Sequence, residues 1–102
     1  MKKLEQFRVS VFELIKKIPR GKVVTYKQIA LRIGIKNPRL VGAILNTNTN
    51  PAIYPCHRVV RSDRTVATGY AFGGPDKQIE LLKLEGVSIV NGKIDASSFI
   101  NL

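Results

Sequence analysis

The chain's one cysteine, Cys56, is followed directly by its one histidine, His57. The pair lies in "IYPCHRVVRSD", Ile53 to Asp63, with a proline before it and an arginine after. A thiol reacts as thiolate, so its ordinary pKa of about 8.5 must fall, or a base must take its proton, at neutral pH. His57 is the only imidazole available for that work. Neighbours on an extended strand point to opposite faces, so contact between the two requires a turn or a bridging water. Pro55 makes an irregular backbone there reasonable, and the charge of Arg58 would favour a thiolate. Buried, inert cysteine is common, so these residues alone leave both readings open. They exclude more firmly: one cysteine makes no internal disulfide, and one Cys with one His makes no structural zinc site. A free thiol fits the cytoplasm.

The elements that must position this pair can be read around it. Residues 3–17, "KLEQFRVSVFELIKK", place Leu4, Phe7, Val11, Leu14 and Ile15 on one helical face. Pro19 and Gly21 break that helix, and "VVTY" is a short β-branched piece. Thr25 can cap a helix over Tyr26–Ile33, with Gly34 closing it. Asn37 can cap a second helix over Pro38–Leu45, with Pro38 in its first turn. Two helices joined by a short Gly-bearing turn predict a helix-turn-helix. Small residues at Gly42 and Ala43 let something approach the second helix closely, either another helix or a DNA groove. "NTNTNPAIYP", 46–55, is a loop rich in turn formers that leads into Cys56. "HRVV" is a strand candidate, and 61–76 reads as a long Gly-bearing loop. Residues 77–85 predict an amphipathic helix with Ile79, Leu81 and Leu82 inward, closed by Gly86. "VSIVNGKID" predicts a hairpin turning at Asn91-Gly92. The expected fold class is α/β, mostly helical, with a winged helix-turn-helix-like arrangement.

The chain has 102 residues, 44% of them hydrophobic, enough for one domain with one core. A single domain over 1–102 is expected, with a monomeric state. No apolar run approaches the roughly 18 residues of a membrane span, and the N-terminus has no apolar signal core. Seventeen Lys and Arg against seven Asp and Glu give a net charge of +10. Such an excess suits a polyanionic partner, nucleic acid first, although a basic surface can also serve solubility alone.

"PCHRVV" resembles the active-site motif of the O6-alkylguanine-DNA alkyltransferase family. The likeness extends through "IPRGKVVTYKQIA", "RLVGAILNTN", "GYAFGG" and "LLKLEG", in order, over about residues 7–87. It implies a repair protein that flips O6-alkylguanine out of duplex DNA and transfers the alkyl group irreversibly to Cys56. His57 would take the thiol proton through a water, with Glu85 orienting and charge-balancing His57, a pairing that needs no metal and no organic cofactor. Tyr26 would lie by the target nucleotide and protonate the leaving guanine. Arg39 would fill the hole left in the stack, and Asn48 would brace the turn carrying the cysteine. Thr25, Gly42, Ala43 and Arg58 join Arg39 and Tyr26 on the implied DNA face. Pro55, Val59 and the loop residues Tyr70, Ala71, Phe72 and Gly73 join Tyr26 around the flipped base, with bulky Phe72 narrowing the pocket. An alkyl group on O6 is buried in the duplex, so extrusion is required and a poorly pairing lesion is the cheaper one to extrude.

The resemblance also implies departures. No N-terminal accessory domain is expected ahead of the first helix. Compact alkyltransferase-like relatives replace the cysteine, typically by tryptophan, and bind lesions to recruit nucleotide excision repair. That sensor role is the alternative. A sequence-specific helix-turn-helix regulator is a third reading, and it leaves Cys56-His57 unexplained. The partner expected is double-stranded DNA, without membrane, at a cytoplasmic, nucleoid-associated location.

Overall fold

The computed structural model describes residues 2–66 and 69–102. Ala67 and Thr68, within the loop expected over 61–76, lie outside the described residues. The first helix, α1, runs Lys2–Ile15 and buries Val11, Phe12 and Ile15. Leu4, expected inward, is exposed in the first turn. The helix also ends two residues early. Lys17 and Ile18 donate to carbonyls three residues back, Leu14 and Ile15, rather than four. Pro19 explains the tightening, because a proline disfavours α geometry at the residue before it.

The helix pair follows the expected bounds: α2 is Tyr26–Ile33 and α3 is Pro38–Leu45. Thr25 Oγ1 accepts from Gln28 N and the Gln28 side chain accepts from Thr25 N, a closed capping box. Gly34 adopts φ 91°, and its N–H and that of Ile35 both return to Ala30 O. That left-handed stop turns the chain sharply enough for α3 to pack on α2. Asn37 Oδ1 accepts from Arg39 N at 3.0 Å and starts α3.

"HRVV" divides in two. Cys56–Arg58 form a 3-10 turn, and only Val59–Val60 are strand (β2). This corrects the expectation of a strand through His57. β2 pairs in parallel with β1, Val24–Thr25, with Val24 opposite Val59 and Thr25 opposite Val60. Ser98 O accepts from Val23 N and Val23 O accepts from Ile100 N, so the C-terminal segment adds a further parallel bridge at Phe99.

Helix α4 spans Gly74–Leu84, three residues longer at its start than expected. Gly73, at φ 124°, allows the entry, and Pro75 suits the first turn. The hairpin, β3 (Ile89–Val90) and β4 (Lys93–Ile94), turns through Asn91 and Gly92, both with positive φ as a type I′ turn requires. The fold is therefore a small, mostly helical domain with short strands. One core gathers Val11, Ile15, Ile29, Val41, Ile44 and Cys56; a second, under α4 and the hairpin, gathers Val60, Leu82, Val87 and Ile94.

Candidate active site and nucleic-acid interface

Cys56 is placed by the loop before it. Asn48, itself buried, donates from Nδ2 to Tyr54 O at 2.9 Å and to Cys56 Sγ at 3.4 Å, while its Oδ1 accepts from Asn50 N at 2.9 Å. Pro55 sits at φ −77°, ψ 70°, and Cys56 N closes on Tyr54 O at 2.8 Å. This is an inverse γ-turn, which the fixed φ of proline suits. The turn delivers the sulfur to a cavity of about 550 Å³. Burial pushes the Cys56 thiol up, and the Asn48 hydrogen bond works against that rise.

The 3-10 turn sends His57 the other way. Its Nε2 lies 3.0 Å from Glu85 Oε2. Glu85 is held down to about 2: burial pushes its pKa up, and the hydrogen bonds from Arg58 and His57 overcome that. A carboxylate accepts only, so His57 Nε2 donates across this contact. Arg58 forks onto the same carboxylate, Nε to Oε1 at 3.0 Å and Nη2 to Oε2 at 2.6 Å, and Nη1 donates to Ile18 O at 2.7 Å. Arg58 is thus committed inward, a correction to its expected place on the DNA face. Gln78 Nε2 donates to His57 O and Val59 O, both at 3.0 Å, and fixes the turn from α4.

The cavity side is different. Tyr26, from the start of α2, and Tyr70 line it, and burial pushes both phenols up to about 12, with Cys56 adding to each rise. Both therefore keep their protons at neutral pH. Arg39, at the start of α3, is exposed on the rim with Lys27 and Arg61, and no carboxylate lines the cavity among the described residues. Gly42 faces Tyr26; a Cβ there would meet Tyr26 Cε1 at 3.8 Å, ordinary contact distance. Ala43 is exposed one residue further on, and Thr25 is spent on its cap.

The structure brings Cys56, Tyr26, Arg39, Gly42, Tyr70 and Ala71 to one cavity, sets Asn48 against the sulfur and pairs His57 with Glu85; none of these last three lines the cavity. Pro55, Val59, Phe72 and Gly73 are not among its described lining residues. Val59 N is tied to Cys56 O and its strand lies against Val24. Phe72 backs Tyr70 edge-on, ring centroids 5.9 Å apart, so it props the wall instead of narrowing the space. Sequence reasoning missed Gln78, Arg61 and Lys27. A glutamine within a helical repeat reads as solvent-facing, and Arg61 and Lys27 are two cations among seventeen.

Residues 6–87 match the profile of the 6-O-methylguanine DNA methyltransferase DNA-binding domain. A methylated-DNA–protein-cysteine methyltransferase of Saccharolobus islandicus is 49% identical over 83 residues, 81% of this chain and 52% of that protein. The corresponding protein of Methanothermobacter thermautotrophicus is 40% identical over 84 residues, 82% and 46% respectively. The chain thus spans about half the length of these curated relatives. Among solved structures, S. pombe Atl1 in complex with damaged DNA containing O6-carboxymethylguanine superposes with a TM-score of 0.82 at 28% identity, covering 96% of this chain and 97% of that one. The O6-methylguanine-DNA methyltransferase of Pyrococcus kodakaraensis gives 0.66 at 38% identity, covering 79% and 46%.

Proposed function

Because the chain belongs to the family of the 6-O-methylguanine DNA methyltransferase DNA-binding domain, we propose that it repairs DNA by taking an alkyl group from guanine O6 onto Cys56. The observation that carries this reading is the placement of Cys56 between a cavity edged by Tyr26 and Arg39 and a wall holding His57 Nε2 3.0 Å from Glu85.

The duplex docks through phosphate contacts to the basic surface, which give affinity without sequence preference. The lesion nucleotide swings into the cavity, and the Arg39 guanidinium takes its place in the stack, where a planar cation both stacks and hydrogen-bonds. His57 Nδ1 receives the thiol proton through a bridging water, while Glu85 holds the ring by its Nε2 proton. The thiolate attacks the alkyl carbon, an S–C bond forms, and the C–O6 bond breaks with its electron pair passing to the guanine. Tyr26 donates the proton that neutralises the leaving base and regains one from the imidazolium through solvent. A thioether has no return path to thiol, so each molecule acts once.

A second reading is kept for one reason. The Atl1 superposition covers nearly all of both chains, and on that reading this chain binds lesions without repairing them. Intact-protein mass after mixing with a duplex carrying one O6-methylguanine separates the two. A gain of one methyl on the Cys56 peptide is expected. Tight lesion binding with no gain makes the chain a damage sensor.

A further inference from the structure

Arg58 spends its guanidinium on the protein interior, although sixteen other cations could have stood there and it adjoins the thiol's own turn. Its side chain is 15% exposed and that of Glu85 8%. The fork onto Oε1 and Oε2 fixes the carboxylate plane, and the third contact, to Ile18 O, ties that plane to the 18–22 loop. Oε2 accepts two bonds at once, one from Arg58 and one from His57. The geometry is that of a bidentate charge pair, with the histidine attached to one of its oxygens.

We propose that Arg58 is a positioning residue for proton transfer at Cys56: it aims Glu85 at His57 Nε2 and offsets the carboxylate's charge, so that His57 stays a neutral imidazole able to take the thiol proton. The inference rests on reading Cys56, His57 and Glu85 as the transfer site. A lone carboxylate beside an imidazole favours imidazolium, and an imidazolium cannot serve as the base. A carboxylate already paired with a guanidinium presents His57 with nearly no net charge while still accepting its Nε2 proton. The other groups around His57 do not replace this balance. Cys56 shares its turn. Tyr26 and Tyr70 lie near the thiol and are protonated. Gln78 is uncharged, and Arg20 is engaged with Leu84 O at 2.9 Å.

The test is the pH profile of single-turnover transfer from an O6-methylguanine duplex, read beside the NMR titration of the His57 ring in the DNA-free protein. Arg58→Gln should move the acidic limb and the ring titration together to higher pH, by about one unit. Arg58→Lys keeps the charge and loses the fork, so it should lower the plateau rate and leave the limb in place. Glu85→Gln should move both readouts to lower pH, and it decides the matter if Arg58→Gln does not fold. A uniform loss of rate with limb and titration unmoved in Arg58→Gln, or no movement in Glu85→Gln, overturns the proposal and leaves Arg58 a structural clamp. If the wild-type chain transfers no alkyl group, the repair reading fails, and the ring titration still tests Arg58 by the same shifts.

Discussion

Cys56 has two contrasting sides. Behind it Asn48, His57, Arg58, Gln78 and Glu85 lie buried or nearly so, and their hydrogen bonds close on one another and on backbone carbonyls. In front of it Lys27, Arg39 and Arg61 stand exposed around a cavity whose described lining residues include no carboxylate. Among the described lysines and arginines only Arg58 and Lys77 form salt bridges, and the rim cations form none. The difference teaches a division of labour. The wall spends its polar groups on geometry, whereas the rim holds its charge in reserve.

The comparison breaks most completely at the atom between the two sides. Cys56→Ala should abolish transfer while lesion-duplex binding persists, as intact mass and gel shift would report. The wall is expected to answer with stability. Glu85→Ala leaves the Arg58 guanidinium buried beside an empty site, a loss of about 3 kcal/mol in urea unfolding. The sign with pH follows from Glu85 being lowered from 4.5 to about 2. Its stabilising contribution is complete above about pH 4.5 and is lost as pH falls toward 2, so wild type and Glu85→Ala should converge in stability near pH 2. Asn48→Ala removes bonds to Tyr54, Asn50 and the sulfur, for about 2 kcal/mol. It should also push the thiol further up, so iodoacetamide labelling should rise at higher pH than in wild type.

The rim is expected to answer in binding instead. Arg39→Ala should leave stability within about 0.5 kcal/mol and slow transfer from the lesion duplex. If it also contacts phosphate, the salt slope of undamaged-duplex binding should fall by about 1. The smallest effect has the most telling sign. Gly42→Ala has room against Tyr26, so the helix should gain up to about 1 kcal/mol. A slower transfer in that more stable protein would mean that the glycine serves what comes from outside. An unchanged rate would return Gly42 to simple helix packing.

Legibility in the sequence followed the range of the interaction. The caps at Thr25 and Asn37, the stop at Gly34 and the turn at Asn91-Gly92 act within a few residues, and each could be read from neighbours. The splitting of "HRVV" could not, because the 3-10 turn is held by Gln78, about twenty residues away. Glu85 lies 28 residues from His57, and its role came from family resemblance, since one acidic residue near a helix end looks like any other. The resemblance did not reach Arg58's true partner. It implied a place on the DNA face, and only the fold shows the fork onto Glu85. The bridge of Val23 to Phe99 was also invisible, because a lone strand residue has no period to detect.

The two-residue parallel pairing of β1 with β2 has a mechanical meaning. Thr25 is both the cap of α2 and the partner of Val60, which stands three residues after His57. On the proposed repair function, the surface offered to the duplex and the tooth that would cut the alkyl bond are mounted on one short rail. Such a tool needs no signal to travel from grip to blade. On that reading, once the grip is seated the blade is already in register.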